Sequence, residues 1–229
     1  MCKTKLTNMK YVVISLLLIL LVSFSNHNTE NDFNTKLYRK YFTEQQRIEL
    51  FKIVSFIDSI VLAQYRFAEI DKAYQYYYDS ICKLSDSSHE EYTVNDGEER
   101  ENFIFSLDTI LFNKIWSKQI PIRVKTRDTT LHYPENFYSI DLNPNGEYVK
   151  LLDNLGKSNR YYKKVHEGII SSGTFSPVFY AGFFNHEYSF DFKSISDRLF
   201  FSIALLTLDE PIEKKVERYL KKSSAHNKG

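Results

Sequence analysis

Two histidine–glutamate pairs, His166–Glu167 and His186–Glu187, come closest in residue type to the ligands of a metal-dependent enzyme. Imidazole and carboxylate groups suit zinc, and a glutamate can serve as the general base. Zinc proteases, however, carry two histidines four positions apart on one helix with the glutamate between them. Neither pair has that spacing, so we predict no metal site. We interpret the histidines as surface residues or as packing partners of tyrosines.

Cys82 and Ser176 are the candidate nucleophiles. A reactive cysteine needs a base or a positive environment, whereas Cys82 follows Ile81 on the apolar side of a predicted helix and is expected to pack as a small hydrophobic residue. Ser176 lies between two glycines in residues 173–182, but that segment lacks the G-x-S-x-G pattern of serine hydrolases. The seven glycines are dispersed, so no phosphate-binding loop is present. The sequence therefore predicts no catalytic residue and no cofactor.

Acidic residues cluster at Glu90, Glu91, Glu98, Glu99 and Glu101. Paired carboxylates carry out glycoside hydrolysis, but a loop and the first turn of a helix are places where carboxylates stay solvated and favour the helix dipole. A hydrolase of an unfamiliar family, acting on envelope or glycan substrates, is therefore only the alternative hypothesis. It requires a deep pocket in which two or more residues of the histidine–glutamate pairs converge.

The aromatic content is high, with 17 tyrosines and 18 phenylalanines. Tyr74, Tyr76, Tyr77 and Tyr78 point around most of one helix, so some of them must reach its edge. Tyrosine is enriched at interfaces because it joins an apolar ring to a polar tip. The cluster is therefore either a binding face for protein or glycan or a tyrosine-rich edge of the core, and we favour the core edge.

The first 25 residues have the pattern of an export segment. Lys3, Lys5 and Lys10 precede an uninterrupted apolar run over residues 11–24, and no acidic residue occurs before Glu30. A basic start and an apolar stretch of ~7–15 residues are typical of secretory signal peptides.

Ser23 and Ser25 place small residues at positions −3 and −1 of a cleavage site before Asn26. The alternative is an uncleaved anchor, since residues 9–25 reach the ~17-residue minimum for spanning a bilayer. Residues 1–25 are therefore predicted to be a signal peptide or a membrane anchor, in contact with the membrane at least transiently. A retained anchor would also permit a third function, that of a membrane-tethered ligand-sensing domain.

The charge and the cysteine content of the exported chain indicate which functions are excluded and which cellular compartment is favoured. Removal of residues 1–25 leaves 27 basic against 29 acidic residues, and no basic stripe remains for nucleic-acid binding. Cys82 is the one remaining cysteine, so an internal disulfide is excluded. This combination favours a bacterial cell envelope, either periplasmic or membrane-anchored outside the cytoplasm; secretion is an alternative.

We predict a mainly α fold. Residues 26–42 are interpreted as a polar tether, residues 43–222 as a single domain resembling a helical bundle, and residues 223–229 as a disordered tail. No glycine precedes Gly97 and no proline precedes Pro121, so the first half permits long helices.

The local patterns predict the elements of that domain. Thr43 and Gln46 form a capping-box pattern, so a long helix or a kinked pair runs from Glu44 to near Leu84. Further apolar stripes predict helices over residues 103–115, 148–156, 161–173, 194–208 and 211–222, with an irregular connection over 174–192.

A small β excursion is predicted near residues 120–142. Ile120, Ile122 and Val124 alternate with polar or proline positions, as in a half-buried strand. Residues 136–142 are expected to pair with that strand.

Taken together, these patterns predict an exported, non-catalytic envelope protein that binds an unidentified envelope protein partner. An inhibitor or immunity-like role and an accessory role in an envelope complex both fit this prediction.

Overall fold

A computed structural model of the protein describes residues 33–66, 68–88 and 97–226. Within these ranges the chain forms ten α-helices and two small antiparallel sheets of two strands each, which confirms the mainly α prediction. None of the described helices combines the length and apolarity needed to cross a bilayer. The predicted leader, with Ser23, Ser25 and Asn26, lies outside the described residues.

The bounds of these ten helices are α1 Lys36–Tyr41, α2 Glu44–Gln64, α3 Ile70–Ser88, α4 Gly97–Ser106, α5 Thr109–Ile115, α6 Glu147–Gly156, α7 Arg160–Ser172, α8 Pro177–Phe184, α9 Ile195–Thr207 and α10 Ile212–His226. Among the residues that the structure describes, strands occur only between α5 and α6.

The segment predicted as a polar tether is structured from residue 33 onward. Phe33, Tyr38 and Phe42 are buried in the main hydrophobic core, and α1 lies between the first and last of them. The tether prediction is therefore wrong for residues 33–42. The lysines, arginine and asparagines of this stretch indicated solvent exposure, but its three aromatic side chains pack into the core.

The predicted start of α2 is confirmed. Thr43 Oγ1 accepts a hydrogen bond from the Gln46 amide, and the Gln46 side chain accepts one from the Thr43 amide, so the capping box is complete. The long apolar pattern is a pair of helices, since α2 ends at Gln64 and α3 begins at Ile70.

The apolar stripe predicted over residues 103–115 is likewise divided. Asp108 caps α5 by accepting a hydrogen bond from the Leu111 amide at 3.0 Å, so α4 ends before it. A polar residue that caps a new helix can lie within a run of regularly spaced apolar residues, and the run then covers two helices.

The β excursion is present, but its pairing differs from the prediction. Strand β1 (Trp116–Gln119) pairs with β4 (Ser139–Leu142), and β2 (Arg123–Lys125) pairs with β3 (Thr130–His132). Ile120 and Ile122 thus lie between two ladders, outside any strand. Pro121, which separates them, has no backbone N–H to donate to a ladder.

Helix α9 is the centre of the molecule. Twelve of its residues are buried, which fits the prediction of a core helix. Residues 174–192, predicted to be irregular, contain α8, whose start is set by Ser176 as N-cap and Pro177 in the first turn. Helix α10 continues to His226, beyond the predicted boundary at residue 222, and residues 227–229 lie outside the described chain.

Candidate interaction surface and charged cluster

The two histidines of the candidate metal site have different neighbours. His166, on α7, has its Nδ1 atom 4.0 Å from an oxygen of Asp153. His186 lies in the loop after α8, where its Nδ1 atom is 4.0 Å from Asp79 and its ring is 4.7 Å from the ring of Tyr78. This geometry agrees with the interpretation of surface residues and tyrosine partners.

The glutamates of the two pairs do not form a common site with the histidines either. Glu167 is mostly exposed and lies 4.0 Å from Lys163. Glu187 lines a groove of about 280 Å³ between α7 and α8, and none of His166, Glu167 and His186 lines it. The convergence that the hydrolase hypothesis requires is therefore not found among the described residues.

The candidate nucleophiles have structural roles. Cys82 is 1% exposed, and its thiol donates to the carbonyl oxygen of Phe183 at 3.7 Å. The Ser176 hydroxyl accepts the amide hydrogen bond of Phe179 at 3.1 Å, as an N-cap does.

Three of the four tyrosines on α3 belong to the core. Tyr74, Tyr77 and Tyr78 are at most 2% exposed, whereas Tyr76 is 53% exposed. Tyr78 packs against Phe183, Phe190, Phe192 and Phe201, among others. The aromatic content therefore fills the centre of the molecule, and this helix presents no broad tyrosine face for a ligand.

The acidic residues predicted as solvated are divided by the fold. Glu98 forms an exposed ion pair with Lys222 at 2.9 Å, but Glu101 and Glu210 are buried, and Asp209 beside them is partly buried. Carboxylate oxygens of these last three residues lie within 4.8 Å of one another, which is close enough to hold a cation. Glu90 and Glu91 lie outside the described residues.

Side-chain cations already neutralise these carboxylates. Arg218 bonds Glu101 and Glu210, Lys215 bonds Asp209 and approaches Glu101 at 3.6 Å, and Arg100 bonds Asp209 at 2.8 Å. Three positive groups balance three negative ones, so the arrangement is a closed ion-pair network. We refer to it as the charged cluster: Arg100, Glu101, Asp209, Glu210, Lys215 and Arg218.

The charged cluster joins the ends of three helices. Arg100 on α4 is 1% exposed and donates to the carbonyl oxygens of Leu206 and Leu208 at 3.1 and 2.7 Å. Carbonyls in the last turn of a helix lack partners within the helix. Arg100 supplies that partner at the C-terminal end of α9, and its bond to Asp209 extends the network toward α10.

The most conspicuous surface lies on the β excursion. Ile120, Ile122 and Tyr133 are 72%, 68% and 76% exposed, and the Tyr133 amide donates to the Ile122 carbonyl at 2.8 Å. Exposed Arg123, Lys125 and Arg127 follow on the same hairpin. We name these six residues the hairpin surface. Residues 116–135 contain four lysines and arginines against two acidic residues, so this region is locally basic.

A small hydrophobic cluster fixes the hairpin on α10. Val124, Phe137 and Val216 are buried together, and Leu131 and Tyr219 pack against them. Val124 in β2 is therefore buried, whereas Ile122, which precedes β2, is exposed to solvent. The sequence pattern predicts that both face the core.

Sequence reasoning did not single out the charged cluster or the exposure of the hairpin. One signal was available: Lys215, Arg218 and Lys222 are three and four residues apart and so share one face of α10. Their acidic partners come from α4 and from the α9–α10 loop, and no local pattern links those segments.

Comparison with protein-family models, with curated proteins and with solved structures yields no match, so the surfaces described above are the basis for assigning a function.

Proposed function

We propose that this chain is an exported, non-catalytic protein of a bacterial cell envelope that binds a protein partner through its hairpin surface. The single observation that carries the proposal is the exposure of Ile120, Ile122 and Tyr133 within residues 120–133, where the Tyr133 amide hydrogen-bonds to the Ile122 carbonyl. Isolated exposed apolar residues are ordinary, but neighbouring ones rimmed by charge are typical of interaction sites.

The composition of the hairpin surface indicates the chemistry of the partner. Burying isoleucine and tyrosine side chains contributes roughly 25 cal/mol per Å² of apolar surface. Arg123, Lys125 and Arg127 form no ion pair with a carboxylate among the described residues. An apolar contact with an acidic rim on the partner would complement both features and guide the encounter.

The rigidity of the support favours the same conclusion. The hairpin rests on α10 through Val124 and Val216, and β1 begins at the fully buried Trp116. A binding element held by the core loses less conformational freedom on association than a free loop does. An inhibitor, immunity-like or accessory protein would require such a preorganised contact.

Site-specific photocrosslinking in the native cells tests the proposal. A photoreactive phenylalanine analogue replaces Ile122, and in a matched control it replaces Ile170, which is 56% exposed on α7. We expect one partner crosslinked in near-stoichiometric yield from position 122 and not from position 170. Equal crosslinking from both positions would remove the proposal.

Substitution of the same residues supplies a second test. Ile120→Ser with Ile122→Ser should weaken binding of the captured partner by about tenfold or more, because a central contact has been lost. Ile170→Ser should leave binding unchanged. Both variants should retain the far-ultraviolet circular dichroism of the parent, since all three side chains are mostly solvated.

Export is tested separately by the intact mass of the protein purified from its native cells. We expect a chain that begins at Asn26. A full-length chain held in the membrane fraction would instead support the anchored form and the ligand-sensing alternative.

A further inference from the structure

A pocket of about 400 Å³ lies between α4, the β excursion and α10, beside the charged cluster. Its volume falls within the ~300–1,000 Å³ of small-molecule sites. We name it the α10 pocket. Its lining residues are Glu101, Lys118, Asn136, Phe137, Tyr138, Lys215, Arg218, Tyr219 and Lys222.

The charge of the α10 pocket is asymmetric. Four lysine and arginine side chains line it, against the single carboxylate of Glu101. The other carboxylates that neutralise Lys215 and Arg218 belong to Asp209 and Glu210, which do not line the pocket. A ligand in the pocket is therefore closer to the cations than to most of their counter-charges.

Lys118 has the least neutralised of these cations. Its ammonium lies 3.8 Å from the centre of the Tyr138 ring and 5.6 Å from that of Phe105, and it forms no ion pair with a carboxylate among the described residues. A cation–π contact leaves most of the ammonium's capacity to donate hydrogen bonds unused.

The remaining walls are aromatic. Phe137, Tyr138 and Tyr219 line the pocket, and the Phe137 and Tyr219 rings pack edge to face at 5.4 Å. Burial, reinforced by Glu101, raises the pKa of Tyr138, and its phenol hydrogen-bonds to the Glu101 carboxylate within the protein. Ammonium groups lie over these aromatic walls, Lys118 over Tyr138 at 3.8 Å and Lys215 over Phe137 at 5.7 Å, and this mixture of rings and cations suits a ring that bears an anionic group.

We propose that the α10 pocket binds a small organic anion whose carboxylate or phosphate, carried on a planar ring, is held by Lys118. This site is independent of the proposed partner contact, because Ile120, Ile122 and Tyr133 do not line it.

The test uses the purified protein with benzoate and phenyl phosphate as probes, followed by amide chemical-shift changes in two-dimensional NMR. Benzamide serves as the uncharged isostere. At least one anion should bind with Kd on the order of 1 mM or tighter, as expected for a ligand of roughly ten atoms. Benzamide should bind about tenfold more weakly.

The decisive variant is Lys118→Gln, with Lys40→Gln as the matched control, because the Lys40 ammonium also lies over a tyrosine ring, 5.0 Å from the centre of Tyr41. Both lysines are exposed, so both variants should fold. Lys118→Gln should weaken the anion by about tenfold, whereas Lys40→Gln should not change its binding. The proposal would be overturned by any one of three results: no binding of either anion at about 20 mM, binding of benzamide as tight as that of the anions, or equal effects of the two variants.

Discussion

The guanidinium of Arg218 on α10 donates two parallel hydrogen bonds to the carboxylate of Glu101 on α4, at 3.1 and 2.9 Å. The same guanidinium bonds Glu210, which is almost wholly buried. Two-pronged contacts of this kind are geometrically specific and are stronger than neutral hydrogen bonds. They fix the last helix against a helix more than a hundred residues earlier in the chain.

Arg218→Gln should destabilise the protein by about 3 kcal/mol, because it leaves Glu101 and Glu210 buried without their common cation. Urea denaturation measures the change without screening charges as a salt denaturant does. Lys221→Gln is the control, since the Lys221–Glu217 pair is exposed and should contribute less than about 0.5 kcal/mol. Equal midpoints for the two variants would show that the network contributes little.

Two glycines should respond in opposite directions to alanine. A Cβ atom on Gly97 would lie 2.6 Å from the Glu210 carboxylate, whereas one on Gly168 meets nothing within 4 Å. We expect Gly97→Ala to cost about 1–3 kcal/mol through displacement of a buried charged group. Gly168→Ala, inside α7, should stabilise by about 0.5–1 kcal/mol. Thermal melts of the two variants measured side by side decide the matter.

An ion pair between a buried arginine and a partly buried aspartate gives a third prediction. Arg198 lies 3.3 Å from Asp58, which also accepts a hydrogen bond from Tyr74 at 2.7 Å. Asp58→Asn should cost about 3 kcal/mol by leaving Arg198 buried without a counter-charge. Adding Arg198→Met should recover a large part of that loss. Asp153→Asn, at a mostly exposed carboxylate, is the control, and a double variant as unstable as Asp58→Asn would contradict this account.

Asp141 should make stability depend on pH. Burial raises the pKa of its carboxyl; a hydrogen bond with Thr174 opposes the shift and nearby Asp209 adds to it. Because the folded state holds this proton more tightly than the unfolded state does, the contribution of Asp141 is fully present below pH 3.8 and is lost as pH rises through the elevated pKa.

The measurement is the unfolding free energy of the parent and of Asp141→Asn at pH values from about 4 to 7. The parent should lose stability relative to the variant as the pH rises, because asparagine does not ionise. Parallel curves would exclude a shifted Asp141.

Helix boundaries that carry a recognisable capping signal were the most predictable part of the fold, because caps act within four residues. The Thr43–Gln46 box is an example, and Gly173, which closes α7 with a positive φ of 83°, is another. The pairing of β1 with β4 was not predictable, because alternation at Ile120 and Ile122 suggested a strand where Pro121 prevents one. The charged cluster could not be predicted for a different reason. Its members come from segments about 100 residues apart in the chain, and the charge of Glu101 by itself predicts a solvent-exposed side chain.

The only tryptophan of the chain lies where the β excursion meets the central helix. Trp116 is fully buried, and its indole N–H donates to Thr207 at 2.9 Å. Because the chain has one tryptophan, fluorescence excited selectively in the indole is a local probe of that junction. A red shift that precedes the loss of helical signal would show water entering there while the remaining helices stay assembled.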